Sequence, residues 1–198
     1  MNSEITSAFL IAAPKSNSGK TLVSLALMKA LVLRGITVQP FKCGPDYIDP
    51  MYHTQIAGQP SYNLDTWMAS QEHARLLYEA HLPQPGAAVI EGVMGLFDGA
   101  QKDKGSSAEI AKTLNIPVVL VIDAASMAYS AAPLLFGFKN FDSTIQIAGV
   151  IFNKVSGESH YQFLKEAAED AGIEALGYLP RDERLSIKSR HLGLHLPG

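Results

Sequence analysis

Ala8-Phe9-Leu10-Ile11-Ala12-Ala13-Pro14-Lys15-Ser16-Asn17-Ser18-Gly19-Lys20-Thr21-Leu22-Val23 is the stretch on which the fold turns. Residues 8–12 form a short apolar run with the length and composition of a buried strand. A loop of small residues follows and closes on Gly19-Lys20-Thr21. Residues 20–33 then read as a helix, apolar on most sides, and Gly35 stands where glycine terminates a helix.

Strand, Gly-Lys-Thr loop and helix in that order form a phosphate-binding loop. Its backbone N–H groups and the positive end of the helix dipole favour an anion. Lys15, Ser16, Asn17, Ser18, Gly19, Lys20, Thr21 and Leu22 are therefore the expected nucleotide-binding residues. Lys20 is expected at the β- and γ-phosphates of ATP, and Thr21 offers a hydroxyl to Mg²⁺. Pro14 replaces the glycine usual five residues before Gly19. Lys15 after it is similar to the extra lysine in the deviant loops of the MinD, ParA and nitrogenase-iron-protein class.

Further strands are expected at residues 38–43, 87–91, 117–123, 145–152 and 174–179. Between the later ones lie helical patterns. Ser106-Ser107-Ala108-Glu109 has capping-box spacing and opens a helix ending near Asn115. A second helix is expected over 126–138. A third carries Tyr161, Leu164, Ala168 and Ala171 on one stripe. Near-continuous apolar strands alternating with helices predict an α/β fold, a mostly parallel sheet with helices on both faces. The expected class is P-loop NTPase-like, similar to dethiobiotin synthetase and MinD. Ligands in such sheets bind beyond the carboxyl ends of the strands.

Composition agrees. The 198 residues are 47% hydrophobic and 18% charged, as in ordinary globular chains. The net charge of −3 gives no support for a nucleic-acid or anionic-membrane partner. The single cysteine, Cys43, excludes an internal disulfide framework and a multi-cysteine metal site. No apolar run reaches the length of a membrane span, and the first residues lack the basic region of a signal peptide. A cytoplasmic protein is expected.

The loops after two further strands are acidic. One reads Lys42-Cys43-Gly44-Pro45-Asp46-Tyr47-Ile48-Asp49-Pro50, the other Glu91-Gly92-Val93-Met94-Gly95-Leu96-Phe97-Asp98-Gly99. The topology brings Asp46, Asp49, Glu91 and Asp98 to the edge that carries the phosphate loop. Like charges 4 Å apart repel by about 4 kcal/mol at an effective dielectric of 20, so these acids beside a triphosphate require a cation. Thr21, Asp46 and Glu91 are the expected Mg²⁺ ligands. Asn153-Lys154, at the end of the 145–152 strand, is expected at the adenine edge, where the Asn amide offers both donors and an acceptor. Lys42 is the best placed cation for a substrate carboxylate, ahead of Arg181, Arg184 and Arg190. Tyr47, Tyr52 and Tyr62 are candidates to flank a flat ligand, Trp67 is expected in the core, and His191 and His195 are not read as a metal site.

The long run from Pro40 to Pro50, with Asn63-Leu64-Asp65, the Glu91 to Gly99 loop and Arg190-His191-Leu192-Gly193-Leu194, resembles the cobyrinic acid a,c-diamide synthase family. The resemblance covers essentially the whole chain. It implies an ATP-binding synthetase domain over residues 1–189, with 190–198 as a linker toward a C-terminal glutaminase. It implies ATP-dependent amidation of two carboxylates of a tetrapyrrole polycarboxylate, with ammonia from glutamine; cobyrinic acid, hydrogenobyrinic acid and a nickel sirohydrochlorin all fit the resemblance. It also implies catalytic positions at Asp46, Asp49 and Asp98, beside Lys20 and Lys42. A glutaminase needs a nucleophilic cysteine, and Cys43 lies inside the synthetase motif, so the glutaminase is expected elsewhere. Two rival readings stay open. One is a MinD-like switch forming an ATP-dependent homodimer through Lys15. The other is a dethiobiotin-synthetase-like enzyme activating a carbamate.

Overall fold

The computed structural model describes residues 6–182. The expected linker at 190–198, with Arg184, Arg190, His191 and His195, lies outside the described residues. Thirteen elements follow in order: β1 (Ser7–Ala12), α1 (Lys20–Leu33), β2 (Val38–Cys43), α2 (Asp49–Ala57), β3 (Tyr62–Leu64), α3 (Gln71–His81), β4 (Ala87–Glu91), α4 (Ser107–Leu114), β5 (Val118–Asp123), α5 (Ala131–Phe141), β6 (Ile147–Val155), α6 (Glu158–Asp170) and β7 (Ala175–Pro180). The seven strands make one sheet in the order β3-β2-β4-β1-β5-β6-β7, and every pairing is parallel. β1 sits between β4 and β5, where the chain reverses its direction of travel across the sheet. Its following loop therefore opens into the crevice where such folds bind ligands.

Two apolar layers hold the helices to the sheet. One face buries Leu10, Phe41, Ile90, Leu120 and Phe152 under α3, α4, α5 and α6. The other buries Ile11, Val38, Val89, Val119 and Val121 under α1 and the end of α2. Successive strand residues alternate between these faces. That parity has a consequence at the carboxyl edge. Lys42 pairs in register with both Asn63 and Glu91, and Asp123 with Asn153. Their strand neighbours Phe41, Cys43, Ile90, Ile122 and Phe152 belong to the opposite layer. A row of polar strand ends therefore lies on the α1 face.

The expected strands and the long helices are present, with some differences. The segment between β2 and β4, unassigned from the sequence, supplies α2, β3 and α3. α2 escapes a periodicity reading because its buried positions are Asp49 and His53 rather than apolar residues. Asp49, expected in a loop, is the first residue of that helix, with Pro50 following it in the first turn, where proline is tolerated. α5 begins at Ala131 rather than at residue 126. Residues 124–131 form successive turns, and Pro133 falls in the first helical turn, where its missing N–H costs nothing. Trp67, expected in the core, is 55% exposed. The Ser106 cap is as expected: its Oγ accepts from Glu109 N at 3.2 Å, and the Glu109 carboxylate reaches back to Gly105 N at 2.7 Å.

Gly19 (φ +100°) and Gly35 (φ +75°) both occupy the left-handed region, but their surroundings differ. A Cβ on Gly19 would lie 2.0 Å from Asn153 Nδ2, whereas one on Gly35 would meet nothing within 4 Å. Gly35→Ala is expected to cost about 1 kcal/mol from backbone strain alone. Gly19→Ala is expected to cost clearly more in urea unfolding and to weaken nucleotide binding, because it displaces Asn153 from beneath the loop.

Candidate functional site

The phosphate loop is tied down from three sides. The Ser18 hydroxyl, buried, donates to Lys15 O at 3.0 Å. Asn153 Nδ2 donates to Ser18 O at 3.1 Å, which ties the loop to β6. Lys20 Nζ folds back to donate to Lys15 O and Met94 O, spanning the loops after β1 and β4. Three residues with positive φ, Asn17, Met94 and Lys154, stand one in each of the loops after β1 and β4 and at the end of β6. Backbone strain of this kind persists where surrounding contacts impose it. Lys15, Ser16 and Asn17 are exposed, Leu22 partly so. Burial, reinforced by the Lys42 charge, pulls the Lys20 ammonium down to about 8, although Glu91, Asp49 and Asp98 oppose the shift. An arriving anion reverses that depression and keeps Lys20 charged.

A chain of charged and polar contacts leads from this loop to the acidic one. Thr21 Oγ1 donates to Glu91 Oε1 at 2.6 Å. Lys42 Nζ lies 3.1 Å from the same oxygen, 2.9 Å from Asp49 Oδ2 and 4.0 Å from Asp46 Oδ2, and donates to Gly92 O at 3.0 Å. Lys42 is 3% exposed and Glu91 1%. Burial opposes the charge of each, and the partners outweigh it. Glu91 and Asp49 hold the Lys42 ammonium above its ordinary value, while Lys42 and the His53 hydrogen bond hold the Glu91 carboxyl below its own. Lys42, expected to bind a substrate carboxylate, is instead buried among this protein's own carboxylates. It stands between Glu91 and Asp49 and pairs with both.

The acidic loop has its own frame. Asp46 Oδ1 accepts from Ile48 N at 2.9 Å and Asp49 N at 3.1 Å, shaping the entry to α2. Asn63 Nδ2 donates to Asp46 O at 2.7 Å, so β3 fixes that loop from the side. Asp98 is exposed, and its Oδ2 accepts from Gly95 N at 2.9 Å. The turn it closes lies on the phosphate loop, because Leu96 N donates to Ala13 O and a Cβ on Gly95 would meet Pro14 O at 2.6 Å.

Of the expected metal ligands, Thr21 and Glu91 are in contact, whereas Asp46 lies on the other side of Lys42, its Oδ2 4.0 Å from the ammonium. Among the described residues, no three His, Cys, Asp or Glu side chains converge as a metal cage. A hydroxyl and a carboxylate oxygen 2.6 Å apart still fit the oxygen chemistry of Mg²⁺, which takes most of its shell from phosphate and water. Lys154 pairs with Asp123 at 2.6 Å. Cys43 is fully buried, and burial pushes its thiol up to about 12, so it is no nucleophile. Tyr47 is exposed, and Tyr52 and Tyr62 are partly so.

Sequence reasoning missed His53. It is fully buried, with Nε2 2.7 Å from Glu91 Oε2 and Nδ1 3.2 Å from Ser61 Oγ. Its spacing of four from Asp49 was the available signal, since that interval puts both on one helix face.

Solved structures with this fold include chloroplast FtsY from Physcomitrella patens and the signal recognition particle 54 kDa protein from Aeropyrum pernix in complex with GDP. The first aligns with a TM-score of 0.61 at 15% identity, covering 86% of this chain and 57% of that one. The second aligns with a TM-score of 0.60 at 22% identity, covering 87% and 41%. At that identity the likeness is one of fold. Sequence similarity is much higher to the cobyrinate a,c-diamide synthase of Gloeobacter violaceus, at 47% identity over 94% of this chain and 42% of the relative. The hydrogenobyrinate a,c-diamide synthase of Brucella anthropi is 48% identical over 94% and 43%. The chain thus spans about two fifths of the length of these relatives. The model of the CobQ/CobB/MinD/ParA nucleotide-binding domain matches residues 9–194. The loop that Lys20, Ser18 and Asn153 hold together, on a parallel sheet of this order, is therefore that of a member of the CobQ/CobB/MinD/ParA nucleotide-binding domain family, to which this chain belongs.

Proposed function

We propose that the chain is the ATP-dependent half of an amidoligase that converts the a and c side-chain carboxylates of a corrin precursor, cobyrinic or hydrogenobyrinic acid, into amides. The observation that carries this reading is the line of contacts from Thr21, next to Lys20 in the phosphate loop, through Glu91 and Lys42 to Asp49 and Asp46. A nucleotide switch has no need of that acidic segment. The high identity to named a,c-diamide synthases supports the substrate class.

The γ-phosphoryl of ATP passes to a substrate carboxylate oxygen, releasing ADP and leaving an acyl phosphate. Ammonia then attacks the acyl carbon, phosphate departs, and the ammonium formed gives up a proton. In this chain Lys20 and the loop N–H groups hold the β- and γ-phosphates where charge builds. Asn153, expected at the adenine edge, is instead buried beneath the loop: its Nδ2 donates to Ser18 O and its Oδ1 accepts from Lys154 N at 2.9 Å, so it serves the nucleotide by holding the loop. Thr21 and Glu91 would hold Mg²⁺, whose chemistry is to neutralise charge between the phosphates. Asp46 and Asp98, on the two loops that rim the site, orient the acceptor and take the ammonium proton. Asp49 acts from behind them by fixing Lys42. Ammonia reaches the site as free ammonium or from a glutaminase on the remainder of the longer relatives, since Cys43 is buried and inert.

Asp46→Asn keeps the oxygen that accepts from Ile48 N and Asp49 N, so the fold and ATP binding should survive. Amidation with ammonium, followed as the mass change from carboxyl to carboxamide, should fall by about 100-fold or more. Turnover at the wild-type rate would remove Asp46 from the chemistry. If the macrocycle is unaltered while ATP drives dimerisation and slow hydrolysis, the switch reading built on exposed Lys15 takes over. A second measurement addresses Cys43. Iodoacetamide at pH 8 should leave it unmodified in the folded chain and alkylate it in urea; rapid native labelling would contradict the buried thiol.

A further inference from the structure

We infer that His53 is a positioning residue for the metal–nucleotide site, setting the rotation of the Glu91 carboxylate. This rests on the reading that Thr21 and Glu91 hold a divalent cation with ATP. Glu91 is buried, and its two oxygens have separate partners. Oε1 meets Thr21 Oγ1 at 2.6 Å and Lys42 Nζ at 3.1 Å, whereas Oε2 is 2.7 Å from His53 Nε2. The terminal torsion of a glutamate is broad and soft, so packing alone does not define it. Without a donor at Oε2, rotation lets both oxygens share Lys42 and takes Oε1 away from Thr21. The imidazole prevents this by holding the far oxygen. Ser61 Oγ, 3.2 Å from Nδ1, sets the plane of the ring in turn.

The same ring joins two halves of the site. His53 is carried by α2, whose entry is shaped by Asp46, and Ser61 lies directly before β3, whose Asn63 donates to Asp46 O. Glu91 belongs to β4 on the nucleotide side. His53 therefore keeps the metal-facing oxygen in register with the acidic loop. It touches neither phosphate nor acceptor, and so acts only through Glu91.

Two polar variants separate positioning from packing. Gln at position 53 places its amide nitrogen near the position of Nε2 and can still donate to Glu91; Asn reaches only as far as Nδ1. With Mn²⁺ as the probe, the affinity for ATP is measured by titration and by the spin-resonance signal of bound Mn²⁺. ATP alone in chelator is titrated separately, and melting curves check the fold. Wild type and His53→Gln should bind Mn²⁺–ATP alike. His53→Asn should lose about 10–100-fold in the metal-dependent part and nothing in metal-free ATP binding. Equal Mn²⁺–ATP affinities in the Gln and Asn variants overturn the inference, as does an equal loss in metal-free binding. A wild-type chain whose ATP affinity ignores Mn²⁺ overturns the metal reading and this inference with it.

Discussion

Lys42 is enclosed with Asp49 and Glu91, and moving charges of this kind out of water costs several kcal/mol per ion. Only close mutual contact offsets that cost, so each member dictates where the others stand. Losing one partner of such a buried set leaves an uncompensated charge and costs about 3–5 kcal/mol. Here the constraint spans three elements. β2 carries the ammonium, while β4 and the first turn of α2 carry the carboxylates. The acidic loop and the phosphate loop, each held by its own hydrogen bonds, are consequently coupled to one another by one electrostatic knot.

The knot also sets the charge balance. Its two buried carboxylates exceed its one ammonium, and Lys20 adjoins it with a proton that burial has loosened. Such a pocket carries little net charge before a ligand arrives. A triphosphate brings several negative charges against Asp46, Glu91 and Asp98, and at this spacing repulsion amounts to kcal/mol per pair. On the proposed reading, a cation held at the Thr21–Glu91 oxygen pair would relieve it. The chemistry assigned to the site therefore follows from charge first and from residue identity second.

Much of this was legible in the chain itself. Residues 8–22 announce strand, loop and helix because apolar run, Gly-Lys-Thr and helical pattern are all local signals. β2, β4 and α1 have the ends that the sequence implies. The acidic loops were legible too, since each follows a strand. α2 was not, because it covers a charged strand end and so buries Asp49 and His53 in place of an apolar stripe. The surroundings of Lys42 were not legible for a related reason. A lysine beside acids on a sheet edge looks available to a ligand until the acids are seen to enclose it.

The sequence by itself determined the fold class, the nucleotide loop and the two acidic loops, because these depend on patterns a few residues long. Only the tertiary structure decided which polar groups meet. Strand register places Asn63, Lys42 and Glu91 side by side, and strand parity puts them on the α1 face. α2 then closes His53 onto Glu91. Those partnerships join residues distant along the chain, and their energies depend on burial, which exists only once the layers have packed.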